Sequence, residues 1–325
     1  MKKQLQESLV LCGQNKTKLR YNLLGERFKL YSLDKDGYEV KVYSEGIDYV
    51  SDRKNGLIFR TEKSAIPDYC THPFYGKGVF DLEDYGGKYS NNDYIVFVDY
   101  YYNEGNITTE FFAEQIAAKY NNKKIFANNP PEKNVDILVF GDSISCGCEA
   151  RLKGNIFYNR FADYLNIRYG VNTELTVLSK GGYNTENIKE HFNKFVKGKR
   201  TGIALIAFGM NDQNCINGEP SVLPERYYEN INYFLDNIKC DITPILISPC
   251  KPNELWNLSC RYLNLYAEQL KKISVERKIP FANVLELWQT ELNSGKRSVD
   301  LLNNNVNHPT DYGHYVYFES LKALL

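Results

Sequence analysis

Residues 136–145 read DILVFGDSIS, an apolar run that ends in a Gly-Asp-Ser turn. A continuous apolar run of this length predicts a strand that is buried on both faces, as in a parallel sheet covered by helices. Functional residues of such sheets gather at the carboxyl ends of the strands. The turn that follows Phe140 is therefore the first place where a functional site is expected.

Similar apolar runs recur in the rest of this half of the chain and alternate with helical patterns. The predicted strands are 136–140, 175–178, 203–208, 242–247 and 280–284. The predicted helices are 156–168, 185–197, 225–238, 256–277 and 310–324. Strands that alternate with helices predict an α/β fold, a three-layer sandwich with a central parallel sheet.

The first part of the chain has a different pattern. Between residues 20 and 110, short alternating strands are separated by turn signals at Asp34–Gly37 and Asn55–Gly56, and Tyr94–Val98 is a later strand. Strands of this length with glycine-containing turns predict a small antiparallel β-sandwich.

The two patterns meet at a polar, proline-containing junction, Asn128–Pro131. We therefore predict two domains, a β-sandwich over residues 1–130 and an α/β domain over residues 131–325. A chain of 325 residues is long enough to bury a core in each of them.

Composition excludes several classes of function. The chain has 40 Lys and Arg against 40 Asp and Glu, so it has no electrostatic footprint for nucleic acid or an anionic membrane. No apolar run reaches the length of about 18 residues that a membrane-spanning helix needs. The amino terminus has Gln, Glu and Ser where an export signal has an apolar core, which predicts a cytoplasmic protein. A trimmed form of an exported protein would look the same.

Eight cysteines are spread over both halves, without a Cys-x-x-Cys pair and without the spacing of zinc ligands. We therefore predict free thiols in a reducing compartment. The sequence implies no metal ion and no organic cofactor.

Turns rich in glycine and polar residues follow the predicted strands and precede the last helix. They are Gly141-Asp142-Ser143, Ser179–Thr185 with its Gly181-Gly182 pair, Gly209–Asp212 and Asn305–Thr310. Each has a purely structural explanation: a helix cap, a tight turn, a left-handed asparagine, or a proline that starts a helix. One parallel sheet would nevertheless bring all four to the same edge, which indicates a single site.

These blocks resemble, in type and in order, those of the SGNH (GDSL) hydrolase superfamily. The matching residues are Gly141-Asp142-Ser143, Gly182, Gly209-x-Asn211-Asp212 and His308-Pro309. The resemblance covers residues 134–325 and implies a flavodoxin-like α/β fold with Ser143 as nucleophile and His308 as base. It also implies that Gly182 and Asn211 donate hydrogen bonds to the oxyanion, together with the backbone N–H of Ser143. Gly181 is a one-residue alternative to Gly182.

The residue types suit acyl transfer. A serine hydroxyl is a weak nucleophile until a neighbouring imidazole takes its proton. The tetrahedral intermediate needs N–H donors that are already in place, and glycine lets the backbone approach closely. The three other histidines lie in predicted helices or in the N-terminal half, so His308 is the best placed.

One position departs from the family pattern. The family has Asp three residues before the histidine, where this chain has Asn305. An amide oxygen can accept a hydrogen bond from the imidazole Nδ1, but it cannot offset the imidazolium charge. We predict a Ser143–His308 dyad whose ring is oriented by Asn305 or by a backbone carbonyl. Asp300 and Asp311 are alternative orienting groups. On this hypothesis, Asn305→Asp leaves the activity similar or higher.

Several neighbours have predicted roles of their own. Asp142 and Asp212 are expected to brace the loops by accepting backbone hydrogen bonds and not to titrate in catalysis. Ser145 is a rival nucleophile. Cys146 and Cys148 are expected to pack at the start of the following helix.

The resemblance also predicts the reaction. Some carbohydrate esterases of the superfamily work with such a dyad, and several carry a β-sandwich before the catalytic domain. With 26 Tyr and 17 Phe, some of which can stack on sugars, the chain is predicted to remove a short acyl group, acetyl first, from a carbohydrate. The predicted partner is a small-molecule or oligosaccharide ester, and Pro67–Gly76 is expected to reach toward the catalytic mouth.

Three other functions stay open at this point. The same residues suit a lipase or thioesterase that acts on lipid-like acyl groups, and an acyltransferase that passes the acyl group to a sugar hydroxyl. A non-catalytic glycan-binding protein on a decayed hydrolase fold is the alternative from a different class. The sequence does not predict the oligomeric state.

Overall fold

The computed structural model describes residues 1–34, 36–121, 124–127, 130–196, 202–238 and 241–325. The strands in these ranges are β1 (Lys2–Leu9), β2 (Thr17–Lys18), β3 (Leu24–Leu33), β4 (Glu39–Tyr43), β5 (Tyr49–Asp52), β6 (Leu57–Arg60), β7 (Val96–Tyr102), β8 (Asn134–Gly141), β9 (Asn172–Ser179), β10 (Gly202–Ala207), β11 (Cys215–Ile216), β12 (Glu219–Pro220), β13 (Ile242–Ile247) and β14 (Phe281–Ala282). The helices are α1 (Thr109–Tyr120), α2 (Phe157–Tyr169), α3 (Thr185–Val196), α4 (Pro224–Asn237), α5 (Leu263–Arg277), α6 (Val284–Asn293), α7 (Ser298–Leu301) and α8 (Asp311–Lys322).

The C-terminal half is built on a five-stranded parallel sheet with the strand order β14-β13-β10-β8-β9. Side chains of β8 alternate between two buried clusters: Ile137 and Val139 lie in the cluster with α2 and α8, and Leu138 and Phe140 lie in the cluster with α3 and α4. Because both faces of the strand are covered, its sequence is apolar at successive positions. The predicted three-layer α/β sandwich is confirmed.

The N-terminal half contains two antiparallel sheets, with the strand orders β1-β7-β3-β4 and β2-β6-β5. The hairpins β3–β4 and β5–β6 turn where the sequence predicts them, at Asp34–Gly37 and at Asn55–Gly56. An apolar cluster joins the sheets, with Leu30 and Tyr100 from the first and Ile58 from the second. The predicted antiparallel β-domain is confirmed.

Three helices of the described ranges, α1, α6 and the short α7, lie where the sequence pattern predicts none. Helix α1 follows the β-domain strands and packs against α6 and α8 of the other half, and α6 follows β14 directly. Helix α5 begins at Leu263 and not at residue 256. The predicted boundary at Asn128–Pro131 stays a prediction, and its residues 128 and 129 lie outside the described ranges.

Cys12 and Cys70 form a disulfide across 58 residues of sequence, so the prediction of free thiols is wrong for this pair. In the described ranges, Cys146, Cys148, Cys215, Cys250 and Cys260 are free, and Cys240 lies outside those ranges. A reducing compartment disfavours disulfides, and the cytoplasmic location stays a prediction.

Among the described residues, no helix has both the length and the apolar character needed to cross a membrane.

Candidate active site

Three of the predicted blocks leave the sheet side by side. β8 lies between β9 and β10, and its last residue, Gly141, is level with the last residue of each neighbour. The turns that carry Gly182 and Asn211 therefore begin on either side of the turn that carries Ser143. The fourth block, with His308, lies in the loop before α8.

Ser143 and His308 are in direct contact although 165 residues separate them in sequence. The distance from His308 Nε2 to Ser143 Oγ is 2.8 Å, which is hydrogen-bonding distance. Ser143 is 5% exposed. With its proton on Nδ1, the neutral imidazole presents the Nε2 lone pair to the hydroxyl. This arrangement can transfer a proton from serine to histidine.

Glycine is required at position 141, where β8 ends and the turn begins. A Cβ at Gly141 would lie 2.1 Å from the Ser145 Oγ and 3.1 Å from the carbonyl oxygen of Ala207, closer than real Cβ contacts allow. Ser145 is itself fully buried beneath this turn. The packing explains the glycine at position 141, and it is Ser143, not the buried Ser145, that contacts His308.

Cys146 is exposed and the following helix begins only at Phe157, so the predicted packing of Cys146 at the start of that helix is wrong. The Cys146 sulfur contacts the Ser179 hydroxyl, with the two atoms 3.3 Å apart. Burial raises the pKa of the Cys148 thiol, which disfavours the nucleophilic thiolate.

Asp142 and Asp212 brace the loops by accepting hydrogen bonds, as the sequence predicts, and that they do not titrate in catalysis stays a prediction. Asp142 accepts a hydrogen bond from the backbone N–H of Ile144, with a donor–acceptor distance of 2.9 Å. Asp212 accepts from the N–H and the hydroxyl of Thr185 and from the N–H of Gly209. It thereby joins the turn after β10 to the start of α3. Burial raises the pKa of Asp142 to about 7 and that of Asp212 to about 6.

Gly182 and Asn211 are held next to each other. Gly182 has a φ of 78°, a left-handed conformation that strongly favours glycine, and a Cβ there would meet no described atom within 4 Å. The side-chain amide of Asn211 donates to the carbonyl oxygen of Tyr183 over 2.9 Å. Backbone conformation, and not lack of space, is therefore the reason for glycine at position 182.

The far side of the His308 ring has no hydrogen-bond partner among the described residues. Its Nδ1 is buried and makes no hydrogen bond to any residue of the described ranges. The backbone around the ring is well bonded: the His308 N–H donates to Asn304 Oδ1, and the His308 carbonyl accepts from the Asn303 N–H, both over 2.8 Å. The imidazole is thus placed by its loop and by Ser143.

Asn305 does not contact the His308 ring, which corrects the predicted orienting role. Its Oδ1 accepts from the Tyr69 hydroxyl and from Asn91 Nδ2, and its Nδ2 donates to the Tyr89 carbonyl and to Asn91 Oδ1. All these partners belong to the N-terminal half. The left-handed backbone at Asn305, with a φ of 58°, accompanies this different orientation.

The alternative orienting carboxylates are also engaged elsewhere. Asp300 pairs with the Arg297 guanidinium at 2.7 Å. Asp311 accepts hydrogen bonds from the backbone N–H groups of Arg151 and Leu152. Neither carboxylate has a hydrogen bond to His308, so within the described ranges the hydrogen bond of its ring is the one to Ser143.

Burial keeps the His308 imidazole uncharged. Burial lowers the pKa of His308 to about 4, because desolvation disfavours the imidazolium form. At neutral pH the ring is therefore neutral and ready to accept a proton. The same burial makes the charged form that follows proton transfer costly.

The N-terminal half reaches the loop that carries His308. Phe74 and Phe80 form a buried cluster with Trp256 and Val306, and Val306 lies two residues before His308. The Tyr69 hydroxyl donates to Asn305, so the Pro67–Gly76 segment contacts this loop.

Sequence reasoning missed the residues that hold Asn305, namely Tyr69, Tyr89 and Asn91. Their sequence context indicates turns and strands only, because their partner lies more than 200 residues away.

In the described part of the chain, the grouped candidate metal ligands are Cys12, Asp68 and Cys70. Since both cysteines are in the disulfide, this group offers no thiolate to a metal ion.

A model of the GDSL-like lipase/acylhydrolase family matches residues 139–316, more than half of the chain. Among curated proteins, the uncharacterized lipoprotein YqeF of Bacillus subtilis is 29% identical over 119 residues, which are 36% of this chain and 49% of that protein. The chain thus matches about half the length of this curated relative.

Solved structures that match this chain include a G-D-S-L family lipolytic protein from Veillonella parvula and an acetylxylan esterase from Geobacillus stearothermophilus. The first is 15% identical with a TM-score of 0.47, over 58% of this chain and 97% of the other. The second is 16% identical with a TM-score of 0.49, over 60% of this chain and 96% of the other. The family match contains all four predicted blocks, from Ser143 to His308.

Proposed function

The chain belongs to the GDSL-like lipase/acylhydrolase family, and we propose that it is a serine esterase that removes a short acyl group, acetyl first, from a carbohydrate. The observation that carries the proposal is the 2.8 Å contact between Ser143 Oγ and His308 Nε2. We further propose residues 131–325 as the catalytic domain and residues 1–130 as an accessory domain.

The proposed reaction has two acyl-transfer steps. The Ser143 hydroxyl attacks the carbonyl carbon of the ester while His308 Nε2 takes its proton, and the carbonyl oxygen becomes an oxyanion. The bond to the alcohol then breaks, and the alcohol leaves with the proton from His308. Water attacks the acyl-serine in the same way, again with His308 as base, which releases the acid and restores Ser143.

Three N–H groups are proposed to stabilise the oxyanion: the backbone groups of Ser143 and Gly182 and the side-chain amide of Asn211. One amide hydrogen of Asn211 is donated to the Tyr183 carbonyl, which leaves the second for the oxyanion. That bond also fixes Asn211 to the turn that carries Gly182. Loss of one such donor typically lowers kcat by about 10²–10³-fold.

The dyad is expected to work without a carboxylate behind the base. In serine proteases, exchanging the triad Asp for Asn lowers kcat by about 10⁴-fold because the imidazole takes the wrong tautomer. Here Nδ1 makes no hydrogen bond within the described ranges, so the tautomer with the proton on Nδ1 is selected by the Ser143 hydroxyl, which donates to Nε2. Without a carboxylate, the imidazolium that forms when His308 takes the serine proton has no neighbouring charge to stabilise it, and burial disfavours it further.

Two features support a short acyl group on a carbohydrate. Ser143 is 5% exposed and Asn211 is 8% exposed, so the space at the proposed nucleophile is narrow and suits a small acyl group. The N-terminal half is rich in aromatic residues and reaches the His308 loop through Phe74 and Phe80. Aromatic rings present apolar faces on which sugars can stack.

Acyl-chain preference tests the substrate. We expect release of acetate from acetylated oligosaccharides, and a kcat/KM for aryl esters that falls as the acyl chain lengthens from acetyl to octanoyl. Ser143→Ala should abolish turnover, whereas the matched variant Ser145→Ala should keep it.

Other outcomes would identify a different function. Preference for long acyl chains would contradict the carbohydrate proposal and favour a lipase or thioesterase. Transfer of acetyl to added sugar, in place of release as acetate, would identify an acyltransferase. Binding of glycans by folded protein that turns over no ester would favour the non-catalytic alternative.

A further inference from the structure

We propose that Asn91, in the N-terminal half, is a positioning residue for His308 and acts through Asn305. The inference rests on the proposed function, in which His308 is the base. It gives the N-terminal half a part in catalysis: its Asn91 holds the loop that carries His308 in the geometry that reaches Ser143.

The two asparagines form a reciprocal amide pair. Asn305 Nδ2 donates to Asn91 Oδ1 over 2.6 Å, and Asn91 Nδ2 donates to Asn305 Oδ1 over 3.1 Å. Asn91 is 0% exposed and Asn305 is 2% exposed, so water does not compete for these bonds. Hydrogen bonds between buried amides have a defined geometry and are costly to leave unmade.

Further bonds from the N-terminal half complete the hold on Asn305. The Tyr69 hydroxyl donates to its Oδ1 and its Nδ2 donates to the Tyr89 carbonyl, each over 2.9 Å. Asn305 thus uses two donors and two acceptor positions, all with partners between residues 69 and 91. The disulfide of Cys70, the residue next to Tyr69, anchors this turn to Cys12.

Asn91 also binds the backbone of the same loop. Its N–H donates to the Asn303 carbonyl over 2.6 Å, and its Nδ2 lies 3.0 Å from the Leu302 carbonyl. One residue therefore fixes the loop at Leu302, Asn303 and Asn305. A left-handed residue such as Asn305 persists when its surroundings hold it in place.

The fixed part of the loop is connected directly to His308. The Asn303 N–H donates to the His308 carbonyl, and Asn304 Oδ1 accepts from the His308 N–H. Because Nδ1 has no partner in the described ranges, no carboxylate corrects the ring when the loop shifts. The position of Nε2 against Ser143 therefore depends on the loop backbone, which Asn91 and Asn305 hold.

Three variants measure this dependence. Asn91→Ala, Asn305→Ala and the double variant should each lower kcat by about 10²-fold, the cost of a displacement near 1 Å, with KM within about 3-fold of wild type. Residues that act as one unit are non-additive, so the double variant should be no worse than either single variant. Tyr69→Phe removes one hydroxyl bond only and should lower kcat several-fold in a protein that still folds.

Asn121→Ala is the matched control. Asn121 is also an asparagine of the N-terminal half that bonds the other half, through the backbone of Phe281 in the edge strand β14. Its loss should lower the midpoint of thermal unfolding without changing kcat. Equal losses of kcat in Asn91→Ala and Asn121→Ala at equal loss of stability would overturn the proposal.

A structural readout separates this proposal from the proposed function. In crystals of the Tyr69→Phe and Asn91→Ala variants we expect the Nε2–Oγ distance to exceed hydrogen-bonding range or the ring to take several conformations. An unchanged 2.8 Å contact with wild-type kcat would overturn the positioning role while leaving the esterase proposal intact. Failure of wild-type protein to cleave esters would instead overturn the esterase proposal, and the crystal distances would still decide the positioning role.

Discussion

At the scale of single residues, His308 sets the pH range of the activity. Burial lowers its pKa to about 4 from an ordinary value of 6.5. A base works in its neutral form, so activity is present above this pKa and is lost as pH falls through it. We expect kcat/KM for a short-chain ester to keep a measurable level below pH 6 and to be lost in a final acid limb near pH 4. Protonation of the loop-bracing carboxylates Asp142 and Asp212, with pKa values of about 7 and about 6, adds a partial change above this limb. Complete loss of activity by pH 6, with no limb near pH 4, would contradict a buried base.

Asn305→Asp separates the sequence-based expectation from the structural one. The sequence predicts similar or higher activity, with the new carboxylate behind His308. In the structure, Asn305 Nδ2 donates to the Tyr89 carbonyl and to Asn91 Oδ1, and a carboxylate would face both oxygens without a proton to donate.

Leaving such buried groups unpaired costs about 1–3 kcal/mol. We therefore expect Asn305→Asp to lower both the free energy of unfolding, measured in urea, and kcat. A stable variant with raised kcat would mean that the carboxylate reaches Nδ1 of His308, as the sequence analysis proposed.

Residues of the site that lie in the turns directly after strands could be predicted from the sequence. The types at Ser143, Gly182 and Asn211 follow from the turns after the strands, and the structure brings Ser143 to His308. The orientation of Asn305 was not predictable, because its partner Asn91 is 214 residues away and no sequence pattern connects them.

At the scale of elements, Gly313 in α8 is a position where packing outweighs helix propensity. Propensity alone predicts that Ala is better than Gly by about 1 kcal/mol. A Cβ at Gly313 would, however, lie 2.7 Å from the Leu301 carbonyl oxygen and 2.8 Å from the Pro309 Cβ. Overpacking of this kind costs about 1–3 kcal/mol.

Gly313→Ala should therefore lower the free energy of unfolding. The comparison is Val275→Ala at a 67% exposed position of α5, where propensity acts without packing and a neutral or small stabilising effect is expected. Stabilisation of both variants in urea unfolding would contradict the close packing at the start of α8.

Elements with a strong periodic pattern were predicted within a few residues. The predicted helix 156–168 is α2 at Phe157–Tyr169, and the predicted strand 242–247 is β13. Helix α5 begins later than predicted because residues before it form turns, with Arg261 in a left-handed conformation at a φ of 59°. Helix α1 was not predicted because its buried face is formed largely by small residues, with Ala113 and Ala117 on either side of Ile116, so its apolar periodicity is weak.

At the scale of the whole molecule, a buried ion pair joins the two halves. Lys296 Nζ lies 2.8 Å from Glu7 Oε1, and both side chains are fully buried. Glu7 also accepts from the Arg20 N–H and the Tyr100 hydroxyl. Lys296 lies 289 residues from Glu7 in sequence, so no local pattern could indicate that the two side chains pair.

Removing one member of a buried pair leaves an uncompensated charge, at a cost of about 3–5 kcal/mol. Lys296→Met should therefore destabilise strongly, and Glu7→Gln combined with Lys296→Met should cost less than the sum of the single changes. Urea unfolding of the three variants measures this coupling. Additive losses would show that the two charges do not interact.

The topology of the sheet was the most predictable feature of the molecule and the one that matters most for the site. A parallel order with β8 between β9 and β10 brings the Ser143, Gly182 and Asn211 turns to one edge. The way the β-domain meets that edge depends on polar contacts such as Asn91 to Asn305, which are specific to the folded chain.

Covalent labelling of the nucleophile tests the central claim most directly. A fluorophosphonate should form one adduct, located by mass spectrometry of peptides on Ser143; labelling should be absent in Ser143→Ala and strongly slowed in His308→Ala. Folded protein that remains unlabelled, or that carries its adduct on Ser145 or Cys146, would contradict the serine–histidine dyad.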